Sequence, residues 1–179
     1  MYYSTVYSSP IGEITLACHD DNLVGLWTVG QKYYGDTIPE AMVENNDAPV
    51  LCNAQKWLDR YFAGEKPDIT ELPLAPIGGV FRQAVWKILC EIPYGKIITY
   101  NDIAKKIAVQ PGRKSMSSQA VGGAVGHNPI SIIIPCHRVV GSNGSLTGFS
   151  GGIQTKVKLL ELEGVDMSRL FVPKKGTAL

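Results

Sequence analysis

Cys136, His137 and Arg138 follow one another directly after Pro135, near the end of the stretch SIIIPCHRVV at residues 131–140. A thiol, an imidazole and a guanidinium in a row can do nucleophilic chemistry. Cysteine attacks as the thiolate, and at its ordinary pKa of about 8.5 it needs an electropositive neighbourhood to ionise. His137 and Arg138 are candidates for that neighbourhood. Ser131–Ile134 reads as a buried strand, which Pro135 ends because it has no amide to donate to a ladder. Cys136 then stands where regular structure stops and can face a pocket. Adjacent side chains on an extended backbone point opposite ways, so His137 is expected to reach the thiol through a water. An inert buried cysteine is the plainer alternative. The following VVGSNGSLTGFSGG weighs against it: Asn143–Gly144 is a hairpin-turn signal, and the Gly/Ser run after it is a loop that can approach a small ligand closely.

The elements that must carry this site are legible upstream. VFRQAVWKILCEI places Phe81, Val85, Ile88 and Leu89 on one helical face and stops at PYG. TYNDIAKKIA starts with Thr99 as N-cap and Asp102 three residues on, an approximate capping box, with Ile103, Ala104, Ile107 and Ala108 as its apolar face. After VQPGRK, SMSSQAVGGAVGHNP reads as a second short helix capped by a serine. Two short helices joined by a Pro-Gly turn are helix-turn-helix grammar. Gly122 and Gly123 sit inside that second helix, where each costs roughly 1 kcal/mol relative to alanine. A face of Ala120, Gly122, Gly123, Ala124 and Gly126 can lie very close to another backbone, either a packed helix or DNA.

The first part of the chain has a different character. YYSTVYSS, GEITLACH and LVGLWTV are short, rich in β-branched and aromatic residues, and separated by turn signals. PVLCNAQKWLDRYFAG then has helical spacing at Val50, Leu51, Ala54, Trp57, Leu58, Tyr61 and Phe62, closed by Gly64. EKPDITELPLAPIGG is Pro/Gly-rich and carries the expected boundary, giving domains 1–75 and 76–165 and a tail 166–179. Residues 1–75 hold four Lys/Arg against eleven Asp/Glu, a net of −7; the remainder holds thirteen against five, a net of +8. That asymmetry suggests an anionic partner for the second part.

A chain of 179 residues, 45% hydrophobic and 18% charged, can bury a core and is not a disordered composition. Four separated cysteines with no CxxC pair are expected to be reduced thiols in a cytosol. The opening MYYSTVYSSP lacks a basic region followed by an apolar run, so no signal peptide is expected. No stretch approaches the ~20 apolar residues of a membrane span.

NPISIIIPCHRVVGSNGSLTGFSGG, preceded by FRQAVWKIL, IPYGKIITYNDIAKKI and AVGGAVGHNP, strongly resembles the O6-alkylguanine-DNA alkyltransferases. The resemblance is strong from Gly79 to Gly164 and weaker over residues 1–75, where SSPIGEITLACHDDNLVGL is similar to the family's opening strands. It implies an α/β (α+β) architecture: an N-terminal ribonuclease-H-like sheet-and-helix domain and a C-terminal helical domain of the winged helix-turn-helix type. It also implies that a damaged guanine is flipped from the duplex and its alkyl group passed irreversibly to Cys136, once per protein molecule, without metal or organic cofactor. His137 would draw off the thiol proton through a water, with Glu163 orienting the imidazole. Asn128 would brace the turn before the active-site segment, and Tyr100 would hydrogen-bond the flipped base. Cys136, Val139 and the loop Phe149, Ser150, Gly151 would form the pocket wall. Ala120, Gly122 and Gly123 would approach DNA, with Arg113, Lys114 and Arg138 as further contacts.

Two departures stand out. The family commonly has arginine where this chain has Gln119, which is expected to fill the gap left by the flipped base. Phe149 replaces a tyrosine found in some members. Cys18 and His19 lack partners for the structural zinc of some relatives, so no metal is expected. The expected partner is double-stranded DNA carrying O6-alkylguanine, with O4-alkylthymine an open second lesion, acted on by a monomer in the cytoplasm, or in the nucleus of a eukaryote. A non-catalytic lesion binder, a cysteine hydrolase and a helix-turn-helix regulator are the competing readings. The presence of Cys136 speaks against the first. No oxyanion hole can be identified for the second, and 179 residues are expected to leave no room for the cysteine-rich extra domain of the third.

Overall fold

The structure, a computed structural model, describes residues 1–110 and 117–174. The chain divides into two compact units. Met1–Gly78 and Pro129–Ile133 form the first; the second comprises the described parts of Gly79–Asn128 and Ile134–Leu179.

In the first unit, β1 (Tyr2–Ser9), β2 (Gly12–His19) and β3 (Asn22–Thr28) form an antiparallel meander, and β4 (Met42–Glu44) adds parallel to β1, giving the order β3-β2-β1-β4. The three long strands lie where the β-branched and aromatic runs place them. Between β2 and β3 the chain reverses through Asp20–Asp21, with Asp20 at φ +51°, a conformation that aspartate tolerates. In β3, Gly25 and Trp27 share a face, and the indole lies where a side chain at position 25 would be. Trp27, Ala17 and Val24 form a core cluster with Tyr2, Ile38, Met42, Ala75 and Ile77 packed against it. Helix α1 (Pro49–Phe62) starts with Pro49 in its first turn and buries Val50, Leu51, Ala54, Trp57, Leu58 and Tyr61. It packs against β1, β2 and β3.

The second unit is mainly helical: α2 (Val80–Cys90), α3 (Tyr100–Ala108), α4 (Ser118–Gly126) and α5 (Ile153–Leu162), with a two-residue parallel ladder between β5 (Ile98–Thr99) and β6 (Val139–Val140). The capping box at α3 is complete: Asp102 N donates to Thr99 Oγ1 at 3.0 Å and Thr99 N to Asp102 Oδ2 at 2.9 Å. Ser117 caps α4 by accepting from Ala120 N at 3.1 Å. Trp86 of α2 is buried and donates Nε1–H to Ala124 O of α4 at 2.9 Å, tying those helices together.

One expectation is corrected here. Ser131–Ile134 is not a strand. Ile133 N donates to Ser131 O at 2.9 Å across Ile132, whose φ is +72°. This is a γ-turn of the positive-φ kind, the rarer and more strained form, and a β-branched residue there is strained by about 1–3 kcal/mol. Three residues on, Cys136 N donates to Ile134 O at 2.8 Å across Pro135, at φ −82° and ψ 66°, an inverse γ-turn. The apolar character of the run serves burial, while its backbone bonds come from elsewhere: Leu26 N donates to Pro129 O and Ser131 N to Leu26 O.

Asn143–Gly144 turns the chain as expected, with Gly144 at φ +92° and Gly141 N donating to Ser145 O at 2.8 Å. The outgoing arm, however, pairs with Phe171 rather than forming a longer hairpin. Beyond α5, Val165 and, in the tail, Met167 and Leu170 pack on the cluster of Val140, Leu146 and Leu160.

Candidate active site

Cys136–Arg138 forms one 3-10 turn between Pro135 and β6, and all three side chains are buried. The backbone at His137 is thus helical, and the alternation of an extended chain does not apply. Cys136 is a reduced thiol. The imidazole of His137 is fully enclosed, with Nε2 2.5 Å from Glu163 Oε2. Glu163 also accepts from Arg138 Nε at 2.7 Å, Arg138 Nη2 at 3.1 Å and Gly95 N at 3.1 Å. Burial alone would raise the carboxyl's pKa, but the hydrogen bonds from His137 and Arg138 and the charge of Arg138 hold it well below the usual carboxylate range. Glu163 is therefore ionised and only accepts.

The tautomer of His137 follows. Burial pushes the imidazole's pKa down, against the pull of Glu163 and with the push of Arg138 and Lys156, so the ring is neutral. A neutral ring facing an ionised carboxylate carries its proton on Nε2, leaving the Nδ1 lone pair basic. Nδ1 has no hydrogen-bond partner among the described residues.

Glu163 reaches this place because α5 ends in a fixed way. Gly164 follows at φ +73°, its N–H bonds Glu161 O at 3.0 Å, and Val165 N bonds Leu160 O at 3.1 Å. This is the Schellman termination that a glycine after the last turn permits. Arg138, which the resemblance gave as a DNA contact, is 8% exposed, bound to Glu163 and, through Nη1, to Ile92 O at 2.6 Å. A guanidinium forks naturally onto a carboxylate, and this one also lies over the Tyr94 ring, 5.7 Å from its centroid.

Tyr100 opens α3 immediately after β5, and the pairing of Ile98 and Thr99 with Val139 and Val140 carries it to the segment after Arg138. Its hydroxyl donates to Thr147 O at 2.7 Å, and burial with the nearby Cys136 charge raises its pKa. Gly148 lies at φ +86°, and any Cβ there would collide with the Tyr100 hydroxyl. The Asn128 amide donates to Ile134 O at 2.8 Å, closing the excursion of Pro129–Ile133 just before the cysteine. Val139 and Phe149 are buried; Ser150 and Gly151 are half-buried. On α4, Gln119 and Gly123 are exposed, and Ala120 and Gly122 are half-buried. A Cβ on Gly123 would meet nothing within 4 Å, whereas Gly122 lies against the Tyr100 ring. Arg113 and Lys114 lie outside the described residues.

Lys156 was missed from sequence. It is fully buried on α5, and Nζ donates to Val139 O at 2.5 Å and Thr147 O at 2.9 Å. Burial pushes its pKa down to about 8, opposed by the charge of Cys136. The ammonium and a thiolate at Cys136 thus favour one another. A signal existed: Lys156, Leu159, Leu160 and Glu163 are spaced as one helical face. Among the described residues, no three His, Cys, Asp or Glu side chains gather as a metal site requires.

This arrangement is a buried nucleophile, a base oriented by an ionised carboxylate, and an internal cation. Two family models cover nearly the whole chain: the 6-O-methylguanine DNA methyltransferase ribonuclease-like domain over residues 1–76, and the DNA-binding domain of the same proteins over residues 80–165. The chain belongs to the 6-O-methylguanine DNA methyltransferase family. It is 43% identical, over 92% of its length and 99% of the relative's, to a methylated-DNA–protein-cysteine methyltransferase of Methanosarcina acetivorans. Among solved structures it is similar to Mycobacterium tuberculosis O6-methylguanine methyltransferase, with 41% identity, a TM-score of 0.76 and coverage of 98% and 97% of the two chains. A structure of that organism's OGT in complex with DNA matches at 40% identity and TM-score 0.75, covering 94% of each chain.

Proposed function

We infer that this protein repairs O6-alkylguanine in double-stranded DNA directly, moving the alkyl group to Sγ of Cys136. The observation that carries the reading is the arrangement behind Cys136: a neutral His137 whose proton is fixed on Nε2 by an ionised, buried Glu163. The thiol proton passes to Nδ1 of His137 through an intervening water, and the Lys156 ammonium favours the thiolate left behind. The thiolate attacks the saturated carbon of the alkyl group. The new S–C bond takes its electron pair from sulfur, and the C–O6 bond breaks with its pair going to guanine. Tyr100, released from Thr147 O, hydrogen-bonds the departing base and disperses the charge it gains; the guanine anion takes up one proton as His137 gives up the one it took from the thiol, so thiol and O6-alkylguanine become thioether and guanine. The thioether is stable to water, so each protein molecule reacts once.

The base must leave the stack to reach a buried thiol. Gln119, exposed on the first turn of α4, fills the vacated place and hydrogen-bonds the orphaned cytosine, while Arg113 and Lys114 hold phosphates. If Gln119→Ala repaired a duplex as fast as the parent, that role would be wrong. The protein acts as a monomer, and O4-alkylthymine is the second lesion to assay.

The test uses a duplex with one O6-methylguanine, digested to nucleosides after reaction. One equivalent of protein should restore one equivalent of guanine, and Cys136→Ala should restore none. Multiple turnovers, or restoration by Cys136→Ala, would overturn the reading.

A further inference from the structure

Gln31 lies 105 residues before Cys136 in sequence, yet its buried side chain is bonded to the segment that delivers the cysteine. It follows β3 through a tight turn in which Gln31 N donates to Thr28 O at 3.1 Å and Gly30 takes φ +75°. The turn folds the carboxamide back toward the strand end. Oε1 accepts from Thr28 N at 3.0 Å and from Thr28 Oγ1 at 3.3 Å; Nε2 donates to Ser131 Oγ at 3.1 Å. The amide can face only one way. Thr28 N–H is a donor and requires the carbonyl oxygen, so the NH2 group must face Ser131.

Ser131 is fully buried and is the first residue of the strained γ-turn at Ile132. An isoleucine keeps a positive φ only where its surroundings over-determine it. Here they are the backbone bonds between Leu26 and Pro129 and between Ser131 and Leu26, and the Gln31 carboxamide on the Ser131 hydroxyl. From this anchored γ-turn the chain needs only Ile134 and the inverse γ-turn at Pro135 to place Cys136.

We propose that Gln31 is a positioning residue for alkyl transfer: by holding Ser131 it sustains the γ-turn that sets where Cys136 stands. The inference rests on Cys136 being the alkyl acceptor. Gln31 touches no reacting atom and acts through Ser131 and the short backbone path to the thiol. Displacing a nucleophile slightly slows its reaction without weakening the binding of substrate.

The test compares Gln31→Met, which keeps volume and removes the amide, with Ser131→Ala and the double variant. Single-turnover methyl transfer and equilibrium affinity for the lesion duplex are measured on each. Both single variants should slow the transfer step about tenfold while affinity stays within about twofold. The double variant should be no slower than either single, because both remove the same bond. Ser131→Ala leaves the turn after β3 untouched, so a slow Gln31→Met that had merely misfolded would be exposed by a full-rate Ser131→Ala, and the proposal would fall. Losses that add in the double variant, or equal losses in rate and affinity, would also overturn it. If the parent takes up no methyl group, the alkyl-transfer reading falls and this inference with it. If the parent reacts and Gln31→Met reacts equally fast, only the inference falls.

Discussion

Replacing Lys156 by methionine keeps the length of the side chain and removes its charge from the interior. In the folded protein burial pushes the ammonium's pKa down to about 8, from an ordinary value of 10.5. That gap corresponds to roughly 3 kcal/mol by which the charged form disfavours folding. Below pH 8 the side chain is protonated in both folded and unfolded chains, and the penalty is present in full. Between pH 8 and 10.5 the unfolded chain binds more protons than the folded one, so stability rises with pH; above 10.5 the penalty is gone.

Wild type should therefore gain about 2 kcal/mol on Lys156→Met between pH 8 and pH 10. The half-buried thiol of Cys90, which burial pushes up to about 11, works the other way in that range. Cys90 is common to both proteins and cancels in the comparison. At pH 7 the variant loses two hydrogen bonds to Val139 O and Thr147 O as well as the buried charge, so the pH-dependent difference is the clean quantity. Urea midpoints at pH 7, 8, 9 and 10, converted with a common m-value, measure it. Parallel curves for the two proteins would refute the assignment of Lys156 as a buried cation. The same variant should transfer methyl groups more slowly at pH 7, because the thiolate loses its neighbouring charge.

Three further outcomes follow from the same geometry. Glu163→Gln leaves Arg138 buried without a counter-charge and turns an amide donor toward His137, moving the imidazole proton to Nδ1. It should lose about 3–5 kcal/mol in urea unfolding and on the order of a hundredfold or more in transfer rate, and full-rate transfer would contradict the tautomer argument. Gly123→Ala adds a methyl where nothing lies within 4 Å. It should stabilise the protein by up to about 1 kcal/mol in thermal or urea unfolding while weakening duplex binding; unchanged binding would remove α4 from the DNA-facing surface. Binding to undamaged duplex should fall steeply between two salt concentrations and depend little on sequence, as phosphate contacts dictate, with fluorescence anisotropy as the readout.

Where local rules suffice, the sequence foretold the structure closely. The three long strands, α1 with its buried face, and the reciprocal bonds of Thr99 and Asp102 all depend on neighbours within a few residues. Ser131–Ile134 was misread because three isoleucines carry the pattern of a strand, whereas the conformation is imposed by Leu26 and Gln31, about a hundred positions away. The pairing of Arg138 with Glu163 is not legible in the sequence, because it appears only once α5 has been placed and ended by Gly164. Lys156 was overlooked because lysine is seldom buried, although its spacing to Leu159 and Leu160 marked its face. Cys136 and His137 are legible from residue type and position, whereas Glu163, Tyr100 and Asn128 rest on resemblance alone, and what the structure adds is the path by which each reaches its place.

The central claim is that Cys136 itself receives the alkyl group. The direct measurement is intact and peptide mass analysis after incubation with a duplex containing one O6-methylguanine. A single methyl group on the peptide carrying Cys136, with Cys18, Cys52 and Cys90 unmodified, is the predicted result. Binding of the lesion with no gain in mass, or a methyl group on another cysteine, would contradict the account.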